Sequence, residues 1–470
     1  MTDLETLLVD AAHHVAAYRA TVPDATVYPQ VDLDAVRAAL GHRLPDGPCP
    51  ARDVVDQLVA AVEPAVVATT GPRYFGFVIG GATATATAAD VLAVGWDQPA
   101  YNHLSSPAAA VVEEIAGAWL VDLLGLPPGA SFGFVTGAQG ANTVCLAAAR
   151  HKVLADAGWD VERDGLVGAP AVRVLAGAER HATIDRSLRL LGFGTGVIEP
   201  VDTDGNGAID VGALRQVLAG RPSGPVIVCL QAGNVNTGAC DDLAGAVAAA
   251  RVHGAWVHVD GAFGLWAAAS PPTRHLVTGM ETADSWGTDG HKWLNVPYDS
   301  GYAFCAHPEA HAAAMAYTAA YLVGTAPPTV RSPGDYVLES SRRARGLATW
   351  AALRELGRSG VADLVDRCCG LARRFATQLT AIDGVTVAND VVLNQVLVRF
   401  DDDDATTDRV IDCVQRSGEC WMGSTTWHGR RLMRISVSNW STTEADVDRS
   451  VRAIAAAVRA ARSGESVRHL

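Results

Sequence analysis

Between Val172 and Val259 the chain repeats one pattern: a short apolar run, a polar break, then an amphipathic stretch of helical period. The apolar runs are AVRVLAG, GVIEPV, Pro225–Leu230 and Trp256–Val259, the last closed by Asp260. Between them lie His181–Leu191, Val211–Ala219 and Leu243–His253. Short apolar runs closed by small or polar residues read as buried strands. Strand and helix in regular alternation predict an α/β fold, a mostly parallel sheet with helices on both faces. Tyr302–Cys305 continues the series.

With 470 residues there is room for two or three domains. Helical periodicity near Leu4–Tyr18, Leu33–Leu40 and Ala51–Ala68 predicts an N-terminal helical segment, 1–77, of a kind that packs on a partner subunit. A large domain is expected over 78–349 and a small α/β domain over 350–470. In the latter, VTVAND, NQVLVRF and LMRISVS read as strands, with helices at Thr407–Ser417 and Glu444–Arg462. Gly71–Ala86 reads as a turn and a buried strand, or else as a pocket wall. Ser106-Pro107 starts a helix that Gly125 ends.

SFGFVTGAQGANTVCLAAARHK reads as strand, glycine-rich turn and helix, the helix covering Thr143–Lys152. A helix start of this kind offers unpaired N–H groups and a positive dipole end, which suits a phosphate. It is equally an ordinary α/β turn, being neither a Walker motif nor GxGxxG.

Composition narrows the partners. A net charge of −14 argues against a nucleic-acid groove or a polybasic membrane patch. MTDLETLLVDAAHHV lacks the basic and apolar regions of a signal peptide, and no window approaches eighteen strongly apolar residues, so no spanning helix is expected. Nine cysteines, close together only at Cys368-Cys369, form neither a disulfide framework nor a zinc spacing, and no metal site is expected. A reducing cytoplasm fits this usage.

Two segments carry the chemistry. In HVDGAFG, Asp260 follows a strand, where side chains of an open α/β sheet face the ligand crevice; it is alternatively a turn residue before Gly261. In SWGTDGHKWL, Lys292 lies between His291 and Trp293, surroundings that disfavour an isolated ammonium and favour a nucleophilic amine. Read together, Asp260 and Lys292 hold opposite ends of one pyridoxal phosphate. His181, starting a helix after a strand, is a candidate to lie over a flat ring, or else a plain helix-start residue.

Taken in order, these motifs resemble the pyridoxal-phosphate-dependent group II amino-acid decarboxylases, which include glutamate and aromatic-L-amino-acid decarboxylases. HVDGAFG, Ser285-Trp286 with Lys292-Trp293-Leu294, TGAQGAN, WDQPAYNHLSSPAAAVVEE and LMRISVSN carry the resemblance. It implies the fold-type-I architecture, with a seven-stranded large domain and a small C-terminal domain, and a homodimer with its active site at the subunit interface. Residue by residue, Lys292 matches the Schiff-base lysine, His291 its neighbour, Asp260 the pyridinium partner and His181 the stacking residue. Ala262 matches the residue packed beside the ring. Ala138, Gln139 and Gly140 fall in the phosphate turn and Thr237 beside the cofactor. Tyr321 looks like the mobile-loop proton donor, and Arg434 like the arginine that pairs with the substrate carboxylate.

Asp289 departs from the pattern: it stands where asparagine is common and phosphate is contacted, and a carboxylate there would be repelled by phosphate. Tyr74, Phe75 and His103, with neighbouring aromatics, form either an apolar substrate pocket or plain core. The expected activity is decarboxylation of an aromatic or bulky L-amino acid to the amine. Aldehyde synthesis, aldol-type cleavage and transamination share Lys292 and Asp260, and a non-enzymatic protein of the same fold is the remaining alternative.

Overall fold

The computed structural model describes residues 3–220, 224–317 and 331–463. They group into two compact units, the first taking in residues up to Ile79, 374–388 and 397 onward, the second 80–373 and 389–396. The divisions at 77 and 349 cut the chain linearly, whereas these units interleave it.

The chain opens with helices α1 (Asp3–Thr21), α2 (Leu33–Leu40) and α3 (Ala51–Val62), as the periodicity predicts. Asp32 caps α2, its carboxylate accepting the N–H groups of Asp34 and Ala35. Gly71–Ala86 departs from the buried strand expected there. Tyr74 forms a single bridge to Trp421, and Phe77 and Val78 both take positive φ, 53° and 61°. Two adjacent left-handed residues cannot continue an extended strand.

In the second unit come α4 (Ala84–Trp96) and α5 (Pro107–Leu123). Ser106 caps α5, and Gly125 just beyond it takes φ 67°. The main sheet has seven strands: β1 (Ser131–Val135), β2 (Arg173–Gly177), β3 (Ile198–Val201), β4 (Val226–Gln231), β5 (Trp256–Asp260), β6 (Ser285–Asp289) and β7 (Gly301–Cys305). Their order is β1-β7-β6-β5-β4-β2-β3. Pairings β2–β3, β2–β4, β4–β5 and β5–β6 are parallel, and β7 runs antiparallel to β1 and β6. Every residue of β4 and β5 is buried, as a sheet covered on both faces requires. Trp266, Trp286 and Trp293 are fully buried, each contributing about 2–3 kcal/mol of hydrophobic stabilisation.

Between the strands run α6 (Ala138–Asp156), α7 (Val161–Asp164), α8 (Ala182–Leu190), α9 (Val211–Ala219) and α10 (Leu243–Arg251). α11 (Pro308–Met315) and α12 (Gly346–Thr380) follow the sheet. α6 begins at Ala138, five residues before the Thr143 start expected from sequence, so TGAQGAN supplies the first turn of the helix itself. Small residues there let the chain turn into the helix straight from β1. α12 breaks at Gly357, with φ 60° and ψ −177°.

The small sheet has the order β10-β11-β9-β8, from β8 (Val385–Val387), β9 (Gln395–Phe400), β10 (Gly423–Trp427) and β11 (Arg430–Ser436). It lies in the first unit, β9 entering it at Leu397. α13 (Asp404–Ser417) and α14 (Glu444–Ser463) complete that unit. Among the described residues no helix is long and apolar enough to cross a membrane.

Candidate active site

The arrangement of β7 creates the site. Its first residue, Gly301, pairs with the last residues of both neighbours, Val135 of β1 and Asp289 of β6. Asp260, ending β5, pairs with Gly287 of β6. The carboxyl ends of β1, β6 and β5 therefore share one edge, where open α/β sheets form their ligand crevice. α6 starts at the same edge. A Cβ on Gly301 would come within 2.5 Å of the Gly137 Cα, so this approach of two backbones admits only glycine.

β6 passes directly into one π-helical turn, Gly290–Leu294, which turns Lys292 back toward the strand end. Lys292 Nζ lies 2.9 Å from Asp289 Oδ2. The Ala138 N–H, first in α6, donates to the other oxygen of that carboxylate. A buried carboxylate needs such partners, and here an ammonium and a helix N-terminus supply them. His291 Nδ1 accepts the Ser300 N–H at 3.2 Å. Its hydrogen is then on Nε2, 3.4 Å from Asp289 Oδ1. Burial pushes the His291 pKa down, and Asp289 opposes this. The ring stacks on Tyr298, centroids 4.1 Å apart.

Asp260 is buried at the end of β5. The Ala262 N–H donates to Oδ1 at 3.3 Å and the Thr183 hydroxyl to Oδ2 at 3.5 Å. Burial, the largest influence, pushes its pKa up; His181, Lys292 and the hydrogen bonds from Ala262 and Asn142 pull it down. His181 caps α8, its Nδ1 accepting the Thr183 N–H at 3.2 Å. His181 and Asp260 line a common cavity with Arg180, Cys229 and Gln231.

The remaining candidates distribute as follows. Ala138, Gln139 and Gly140 form the first turn of α6, and the Gln139 amide donates to Ser187 Oγ at 2.8 Å. The Ala262 carbonyl accepts the Asp289 N–H at 2.9 Å, tying the loop after β5 to the end of β6. Thr237 is buried in the loop after β4, its hydroxyl donating to Asn206 O at 2.7 Å. His103 is half-buried in the turn before α5, its Nε2 without a hydrogen-bond partner among the described residues.

Arg434, Tyr74 and Phe75 belong to the first unit. Arg434 lies on β11 opposite Gly423, and burial lowers its pKa. Tyr74 stacks on Trp421 at 5.0 Å, burial raising its pKa to about 12, and Phe75 packs edge-on to Phe375 at 5.0 Å. Tyr321 lies outside the described residues. Sequence reasoning missed Asn142 and Thr183, which both bear on Asp260; they sit one turn into α6 and two residues after His181.

The pyridoxal-dependent decarboxylase conserved domain matches residues 34–401. Phenylacetaldehyde synthase of Arabidopsis thaliana is 25% identical over 461 residues, covering 94% of this chain and 92% of its own length. Tryptophan decarboxylase 1 of Oryza sativa subsp. japonica is 25% identical over 468 residues, covering 93% and 90%. The crystal structure of Oryza sativa TDC with PLP and tryptamine superposes with a TM-score of 0.90 at 24% identity, over 97% of this chain and 98% of that one. Matched over most of its length, the chain belongs to the pyridoxal-dependent decarboxylase family and is a carboxy-lyase that works with pyridoxal 5′-phosphate.

Proposed function

We propose that the chain removes carbon dioxide from an L-amino acid with an aromatic or bulky side chain and releases the amine. The observation that carries this reading is the convergence of Lys292, Asp289, Asp260 and His181 at the carboxyl edge of one sheet. The tryptophan decarboxylase among its relatives supports the substrate class.

The residues fit the cofactor. Lys292 offers an amine for its aldehyde, and Asp260 a buried carboxylate for its ring nitrogen. Ala138, Gln139 and Gly140 at the N-terminus of α6 would hold the phosphate, the Asp289 carboxylate now on the Ala138 N–H having to give way to it. Ala262, Thr237, His181 and His291 would flank the cofactor. When bound, pyridoxal phosphate supplies a sink for the electron pair left by the departing carboxylate.

The protein's part is to manage protons and charge. Lys292 must lose its proton to act as a nucleophile, and Asp289 is an acceptor within 2.9 Å. Asp260 holds a proton on the ring nitrogen by pairing with it. Arg434 is the residue assigned to the substrate carboxylate, its planar fork matching that group. Return of a proton to Cα is assigned to His181 or Tyr321. Lys292→Ala should abolish turnover and the absorbance of lysine-bound cofactor; turnover retained in that variant would sink the reading. Screening the common amino acids for amine products identifies the substrate.

A second reading, conversion to an aldehyde, is favoured by the phenylacetaldehyde synthase among the relatives. Release of labelled carboxyl carbon with amine as the product excludes it; an aldehyde product establishes it. We also assign the chain to a cytoplasmic homodimer. All nine cysteines are free. On the second unit Val91, Leu92, Val94 and Trp96 of α4 and Ile115 and Trp119 of α5 are exposed, large apolar side chains of the kind partner subunits cover. Light scattering should give twice the 49.0 kDa chain mass; a monomer refutes it.

A further inference from the structure

Behind Asp260 the second unit holds a line of buried polar side chains that the proposed reaction does not use. Trp256, His258 and Asp260 alternate along β5 and so share one face of the strand. His258, Asn142 of α6 and Ser285 of β6 are all fully buried. The Trp256 indole N–H donates to Ser285 Oγ at 3.0 Å. Ser285 Oγ lies 3.0 Å from His258 Nδ1, and His258 Nε2 lies 3.0 Å from Asn142 Oδ1. The Asn142 amide then donates to Thr183 Oγ1 at 3.3 Å, and its hydrogen bond to Asp260 favours the ionised carboxylate.

Such a line can run in only one sense. An indole only donates, and an ionised carboxylate only accepts. Because Asp260 takes the Asn142 NH2, Asn142 Oδ1 accepts from His258 Nε2, and the bare Nδ1 accepts the Ser285 hydroxyl. The imidazole hydrogen is then on Nε2, and its bond to the Asn142 oxygen keeps the Asn142 NH2 turned toward Asp260. Burial keeps His258 neutral, its pKa pushed down to about 3, so the ring passes on orientation and adds no charge. Asp260 needs this support. Its burial favours the uncharged acid, and a protonated Asp260 could not hold a proton on a ring nitrogen.

We propose that His258 is a positioning residue that acts through Asn142 to keep Asp260 ionised and fixed for the ring nitrogen of pyridoxal phosphate. This rests on the role given above to Asp260. The test uses the holoenzyme loaded with cofactor labelled with nitrogen-15 in the pyridine ring, whose chemical shift reports protonation of that nitrogen across pH. His258→Phe and Asn142→Ala should each lower the midpoint of that titration by about one pH unit, the share of a charge-assisted hydrogen bond. His258→Gln, which retains a donor for Asn142, should recover most of the shift.

Asp260→Ala is the reference. If it lowers the midpoint while His258→Phe and Asn142→Ala leave it unchanged, the relay is overturned and the role of Asp260 stands. If Asp260→Ala leaves the midpoint unchanged, that role fails and the relay fails with it. Should His258→Phe not fold, His258→Leu, which likewise offers no donor to Asn142, takes its place.

Discussion

Asp289 is where single-residue chemistry bears hardest on the cofactor. Its carboxylate sits on the first N–H of α6 and within 2.9 Å of Lys292 Nζ. Asp289→Asn keeps an oxygen for the Ala138 N–H and removes the charge that would face the phosphate at the proposed site. Affinity for pyridoxal phosphate should rise about tenfold, while affinity for pyridoxal, which lacks the phosphate, stays nearly constant. Fluorescence titration of both ligands checks this, and an equal change for the two would refute it. Asp260 and His181 stood out in the sequence as candidates because each adjoins a recognisable strand or helix end, and Lys292 because it lies between His291 and Trp293. Asn142, Thr183 and His258 did not: a polar residue inside an apolar strand or helix has no local signature, and its partners come from other elements. The His258–Asn142 contact joins residues far apart in the chain.

Among elements, those with a strong period came out close to their observed bounds, including β4, β5, α9 and α10. β6 was hidden because SWGTD is mostly small or polar, and its strand state comes from hydrogen bonding to β5 and β7 on either side. The start of α6 was misjudged since glycine and alanine give no amphipathic signal over a first turn. The break in α12 is set by Gly357 alone, in a region of φ and ψ open essentially to glycine. Nothing stands within 4 Å of a Cβ built there, so the effect of Gly357→Ala is purely conformational. We expect a loss of about 1–3 kcal/mol in urea unfolding with unchanged turnover; unaltered stability would contradict the strained backbone.

At the scale of the molecule, buried titratable groups set the response to acid. His258 and His311 are held neutral, burial lowering them from 6.5 to about 3 and about 4. The unfolded chain protonates both near pH 6.5 and the folded chain does not, so stability is full above pH 6.5 and falls as pH drops toward 4. Asp241, raised to about 7 by burial, acts in the opposite sense, losing stability as pH rises from 3.8 through 7. His291 is lowered by burial as well, and Asp260, Asp90 and Asp335 are raised by it, so the two signs oppose each other across this window. The share of His258 is separable: in His258→Gln the urea midpoint should fall less, or rise more, between pH 6.5 and 4.5 than in the unaltered chain, and an identical pH profile would overturn this.

The strand order also sets a timetable for synthesis. Of the seven strands β1 is made first, yet it edges the sheet and pairs with β7, the last made. Closing that contact means closing a very long loop, which is slow. While the ribosome is still short of Gly301, the start of α6 has no neighbouring backbone to rest against and β6 lacks one of its two partners. We expect a chain ending at Ser300, which still carries Lys292 and Asp260, to bind no pyridoxal phosphate; fluorescence titration showing binding would refute this.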